Sequence, residues 1–69
     1  MPDFKLLDVV ALTENLPDKN LNRGHVGTIV EILDSSTYEV EFSDNQGKAF
    51  AVTAIKADKL MLLSYQAAV

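Results

Sequence analysis

The sequence predicts an all-β domain: a small five-stranded SH3-like barrel with a long first loop and a short helical turn before the last strand. Three observations predict it. Apolar residues recur mostly with period two, as in Tyr38-Glu39-Val40-Glu41-Phe42, the spacing of a strand with one buried face. Turn residues return at intervals of roughly ten, too often for anything but short strands. No stretch sustains the 3.6-residue periodicity of a helix of ordinary length.

The elements follow in order. A first strand is expected from Asp8 to Glu14, preceded by Phe4, Leu6 and Leu7, apolar residues placed to anchor the N-terminal segment on the core. From Asn15 to Gly24 the chain carries Pro17, Asp18, Asn20, Asn22 and Gly24, so turn chemistry dominates and a long loop is expected, tethered by Leu16 and Leu21. A second strand, His25 to Leu33, ends at the turn Asp34-Ser35-Ser36, and a third runs from Thr37 to Ser43. The turn Asp44-Asn45-Gln46-Gly47 leads into a fourth strand, Lys48 to Ile55. Lys56 to Lys59 reads as one helical turn, Leu60 to Leu63 as a closing strand, and Ser64 to Val69 as a frayed end.

Composition bounds the rest. Sixty-nine residues make a single domain over 1–69, with room for one small core. A chain this size buries only about 60% of its unfolded surface, so its stability is modest. With 48% hydrophobic and 23% charged residues it is an ordered globular domain. The absence of cysteine excludes disulfides and cysteine-based zinc sites. A net charge of −4 disfavours nucleic-acid backbones. The apolar stretches fall far short of the ~20 residues of a membrane helix. The N-terminus lacks the pattern of a secretory signal, so a cytoplasmic location is expected.

Strand register can be argued from cross-strand pairing, because residues directly opposite share a face. A three-residue loop Asn45-Gln46-Gly47, with Gly47 in the left-handed position, pairs Phe42 with Phe50, Val40 with Val52 and Tyr38 with Ala54. The loop Asp34-Ser35-Ser36 pairs Ile32 with Tyr38, Val30 with Val40 and Thr28 with Phe42. The expected inner face is then Val26, Val30, Ile32, Tyr38, Val40, Phe42, Phe50 and Val52. On the outer face Glu31 falls opposite Glu39, and Ile29 opposite Glu41. Like charges facing each other are destabilising unless a cation relieves them. The acidic patch of Glu31, Glu39 and Glu41, with Asp34 near it and Ile29, Ala51, Thr53 and Ile55 beside it, is therefore the candidate binding surface for a partner with Lys or Arg beside an apolar anchor. Asp18, Lys19 and Arg23 of the long loop complete the candidate set.

Other motifs carry less. His25 stands alone at the start of a strand, without the convergent ligands of a metal site or a placed nucleophile. Ser35, Ser36, Ser43 and Ser64 lie in turns or at element ends. Gly24 and Gly27 precede no helix, so they make no phosphate loop; Gly24 suits a positive-φ turn and Gly27 a bulge or tight corner. No catalytic residue, metal site or cofactor is expected, because no carboxylate is placed for the desolvation that acid catalysis needs. Of six basic residues only Lys5, Lys19 and Arg23 have a chance to gather as a nucleic-acid contact.

The segment from Leu6 to Pro17, the segment Leu21-Asn22-Arg23-Gly24-His25-Val26-Gly27-Thr28-Ile29-Val30-Glu31, the strand Tyr38 to Asp44 with Gly47, and Lys56 to Leu60 together resemble a bacterial family of small proteins, domain of unknown function 4926. The resemblance covers nearly the whole chain. It implies an SH3-like barrel with no established activity, catalytic residue or cofactor, and a two-protein module of antitoxin or immunity type. Arg23-Gly24 with Val26-Gly27-Thr28 also resembles the strand start of KOW-type ribosomal and transcription-factor domains, from whose basic character this acidic chain departs. Small barrels of this shape also serve as docking subunits, an analogy of fold alone. The expectation is a non-enzymatic protein–protein interaction module. The alternative is a KOW-like, weak nucleic-acid-binding domain, and pairing of an open edge strand with a second copy is a further expectation.

Overall fold

Five antiparallel strands form one sheet in the computed structural model, which describes residues 4–63. They are β1 (Val9–Leu12), β2 (Val26–Asp34), β3 (Thr37–Ser43), β4 (Ala49–Lys56) and β5 (Leu60–Leu62). Their order across the sheet is β4-β3-β2-β1-β5, with β1 joining both β2 and β5. The long first loop contains a 3-10 turn, Pro17–Lys19, and a second 3-10 turn, Ala57–Lys59, leads into β5. No helix among the described residues is long and apolar enough to cross a membrane. The frayed end expected at Ser64–Val69 lies outside the described residues.

One face of the sheet holds the core. Along β3 burial alternates with every residue, so Tyr38, Val40 and Phe42 are buried while Thr37, Glu39, Glu41 and Ser43 are not. Val10, Leu12, Ile29, Ile55 and Leu60 bury with them, and each large apolar side chain so enclosed contributes about 1.5–3 kcal/mol. Without a packed helix, the sheet's apolar face is covered by segments from outside the strands. Phe4 meets the Tyr38 ring edge-on at 5.3 Å, and its backbone N–H donates to the Tyr38 hydroxyl at 3.3 Å. Leu21 is fully buried, and Leu16 forms a β-bridge with it, as the tether reading expects. Leu6 and Leu7 do not anchor: both are exposed, and Leu7 takes a φ of 71° so that its N–H can reach the Ile29 carbonyl at 2.7 Å.

The registers differ from the simple pairing at three bulges, one of them leaving Leu33 extra between Ile32 and Asp34 near the β2–β3 turn. Asp44 and Lys48 close the β3–β4 loop as expected, with Gly47 at φ 79° and the Asp44 carboxylate accepting from the Gln46 and Lys48 N–H groups. A shift then occurs between Phe42 and Ser43, leaving Phe50 as the extra residue. Phe42 faces Ala51, Val40 faces Thr53 and Tyr38 faces Ile55. On the other side a shift between Ile29 and Glu31 makes Val30 the extra residue, and Ile29 faces Val40. The physical reason is volume. Phe42 lies in a row Gly27–Phe42–Ala51, one large side chain between two small ones, whereas the unshifted pairing sets it between Thr28 and Phe50. Of the expected inner residues, Val26, Val30, Phe50 and Val52 are therefore exposed, Ile32 is exposed although it keeps its expected place opposite Tyr38, and Ile29, expected outside, is 0% exposed.

Gly27 is where β2 comes closest to β3. A Cβ there would lie 2.7 Å from Val40 Cγ1, 2.8 Å from the Glu41 carbonyl oxygen and 2.9 Å from Phe42 Cδ1. Gly24 has open space around it but a φ of 91°. Gly27→Ala is expected to cost about 1–3 kcal/mol through overpacking, and Gly24→Ala about 1 kcal/mol through strain alone. Urea unfolding of both variants checks this; an unchanged Gly27→Ala midpoint contradicts the close approach.

Candidate functional site

The outward-facing half of β3 sets the site. Because Tyr38, Val40 and Phe42 point inward, Glu39 and Glu41 point outward. Glu39 stands directly opposite Glu31 of β2, as the pairing argument expects. Residues so paired have Cβ atoms roughly 4.5–5.5 Å apart. Glu41 lies opposite Thr28, not Ile29, because of the bulge at Val30. On the β4 side, Glu39 faces Ala54 and Glu41 faces Val52. The face thus consists of three carboxylates bordered by Ala54 and by Val52, which is 52% exposed.

Among the described residues no cation lies within ion-pair distance of these carboxylates. Among the described residues the sole ion pair joins Lys59 Nζ to Glu14 Oε2 at 2.7 Å, and that bond raises the Lys59 ammonium above its ordinary value. Lys56 shares the outer face but stands opposite Thr37 at the far end, where its charge acts on Asp34. The Asp34 carboxyl is held below its usual value chiefly by the Ser36 backbone N–H, 2.8 Å away, with the Thr37 side chain and Lys56 adding to the effect. Asp34 therefore favours the folded hairpin above the ordinary carboxylate range, and that contribution falls away as pH drops through its lowered value.

The other sequence-predicted residues sort differently. Ile29 is no anchor: its side chain is in the core and its N–H and C=O hold Asp8 and Leu7, while Ala51, Thr53 and Ile55, opposite Phe42, Val40 and Tyr38, face inward with it. Lys19 Nζ donates to Thr53 Oγ1 at 3.2 Å, which brings the 3-10 turn with Asp18 to the inward-facing side of β4. The Arg23 backbone N–H donates to Asn15 Oδ1 at 2.8 Å, and the Lys5 backbone N–H to Asp8 Oδ2 at 2.8 Å. Lys5, Lys19 and Arg23 are thus held against three different parts of the chain. His25 closes a local turn, its Nδ1 accepting from the Asn22 N–H at 2.9 Å, and its ring meets Phe50 edge-on at 5.6 Å.

A family model described as a domain of unknown function, DUF4926, matches residues 6–62. The chain belongs to the DUF4926 family. No curated protein and no solved structure matches it significantly. The match runs from the turn before β1 to the last residue of β5, so every strand of the DUF4926 sheet lies within it. Pattern reading missed Val52 and Ala54 as the neighbours of the carboxylates. The volume of Phe50 opposite Phe42 is the signal that could have revealed them, since crowding there forces the slip that turns Val52 outward.

The Glu31–Glu39 pair has a measurable cost. Glu39→Gln is expected to stabilise the DUF4926 domain by about 0.2–1 kcal/mol. Added salt should raise the wild-type urea midpoint more than that of the variant; a variant less stable than wild type at low salt contradicts an unrelieved pair.

Proposed function

We propose that this DUF4926 chain is a non-enzymatic protein–protein interaction module. It is a small SH3-like barrel of the bacterial cytoplasm that docks a partner segment carrying Lys or Arg beside an apolar anchor. The strand order β4-β3-β2-β1-β5 and the long first loop support the barrel reading. The observation that carries the docking reading is the Glu31–Glu39 pair, with Glu41 alongside and no cation within ion-pair distance among the described residues. A partner ammonium or guanidinium supplies the missing counter-charge, and complementary charge steers encounter and sets register more than it sets affinity. Val52 takes the part of the apolar neighbour that Ile29 leaves vacant by entering the core. The partner is a protein of a two-component pair, of antitoxin or immunity type.

The non-enzymatic reading is supported by the setting of the ionisable groups. No Asp, Glu, Lys, Arg or His among the described residues is buried, and general acid catalysis at neutral pH draws on a desolvated carboxyl. A nucleic-acid partner is less favoured, because the Lys19 ammonium is engaged by Thr53 and a phosphate backbone would meet the glutamates.

The test uses the full chain as bait in lysate of its own cells, beside a triple variant with Glu31→Gln, Glu39→Gln and Glu41→Gln. Wild type should retain a stoichiometric protein at low salt that is depleted at moderate salt and lost from the triple variant. Equal retention by the two, or a clean bait throughout, overturns the reading.

A further inference from the structure

Beside the carboxylates runs an edge of the sheet on which no strand lies among the described residues. Among the described residues β4 pairs with β3 alone. The phase of that ladder says which backbone groups are free. The Ala57 N–H donates to the Ser36 carbonyl at 2.8 Å, so the pairs in the same phase, Tyr38–Ile55 and Val40–Thr53, exchange the β3–β4 bonds. The N–H and C=O groups of Val52, Ala54 and Lys56 therefore point away from β3. On the far side of the ladder the same phase predicts that Ile29 directs its own groups toward β1, and they do bond Asp8 and Leu7. Among the described residues no neighbouring strand or loop backbone takes up those of Val52 or Ala54, whereas the Lys56 carbonyl opens the 3-10 turn Ala57–Lys59.

On its outward side this edge is little protected before Lys56. Between Lys48 and Lys56 the strand carries no charge and no proline, and its one bulge, at Phe50, lies before the open stretch. The side chains of Val52 and Ala54 stand on the same face as Glu41 and Glu39. A strand added alongside would place its outward side chains next to Val52 and Ala54, about two strand spacings, or roughly 10 Å, from the glutamates. An extended Lys or Arg passing over Ala54 and a Glu reaching back together span that distance. On the other side of the added strand, alternate side chains would meet Ala51, Thr53 and the 3-10 turn held to Thr53 by Lys19.

We propose that the partner segment binds by strand addition: an extended peptide with cationic and apolar residues in alternation pairs along β4, its backbone satisfying Val52 and Ala54 while its cations reach Glu39 and Glu41. The proposal rests on the docking reading above and adds the mode of attachment and the pattern of the ligand. Charge complementarity selects a cationic strand as the occupant over a second copy of this acidic chain.

The probe is the heptapeptide Lys-Val-Lys-Val-Lys-Val-Lys, titrated into the full chain at low salt by calorimetry and amide chemical shifts. In the bound register the lysines sit opposite Val52 and Ala54, so their N–H groups face β4 and those of the valines face away. N-methylation at two internal lysine positions should weaken binding at least tenfold, and at two valine positions less than twofold, with the largest shifts at Val52 to Lys56. Equal effects at the two sets of positions, or shifts confined to β2 and β3, overturn strand addition while leaving docking on the outer face intact. Undiminished binding to the triple glutamine variant overturns the docking reading itself. Absence of peptide binding overturns strand addition, and the bait comparison then decides the docking reading separately. Concentration-dependent dimerisation in sedimentation, with the Val52 and Ala54 amides protected from exchange, gives the edge to a second copy and also overturns the proposal.

Discussion

Strand β3 can satisfy the core only by presenting its alternate residues to water. Tyr38, Val40 and Phe42 occupy the inward positions, and the pleat then has no freedom over where Glu39 and Glu41 go. The acidic face is thus a direct result of the packing of three core side chains. A one-residue slip of β3 would put two carboxylates into the core and remove the sheet's central apolar row. That cost makes the outward glutamates as firmly specified as the core itself, although they bury little.

The bulges fit this constraint to the volumes available. Phe42 is the largest fully buried side chain, and the sheet accommodates it by setting Gly27 on one side and Ala51 on the other. Two extra residues, Val30 in β2 and Phe50 in β4, bring those small neighbours into line. Each bulge also raises local twist, which helps a single sheet curve around its core. The segments that complete the core, Phe4 and the Leu16–Leu21 bridge, come from outside the strands. The same slip that relieves Phe42 turns Val52 and Ala54 outward beside the carboxylates, so packing in the core determines what a partner would meet at the surface.

Much of this was legible in the residues. The β3 boundaries, the Asp44–Gly47 turn, the positive φ at Gly24 and the Glu31–Glu39 pair all follow from period-two alternation and turn chemistry. The faces of β2 and β4 were not. In Phe50-Ala51-Val52-Thr53-Ala54-Ile55 either alternate set is apolar enough to face inward, and Ile29-Val30 offers two adjacent apolar choices. Alternation cannot decide between such sets; side-chain volume across three strands does. Leu7 gives no local sign of its left-handed backbone, which follows from a bond to Ile29 made only in the folded chain. Of the candidate site, the three glutamates and the expectation of an open edge strand emerged from the sequence, but that β4 is this edge did not, because which strand lies at the edge is a property of the sheet order.

The account stands on the register that joins β2, β3 and β4, and cross-strand Hα–Hα contacts in a solution NMR structure read it directly. Close contacts are expected between Ile29 and Val40, Glu39 and Ala54, and Glu41 and Val52. Contacts that instead pair Val40 with Val30 on one side and with Val52 on the other would return Val52 to the core, dissolve the acidic and apolar face, and contradict the account.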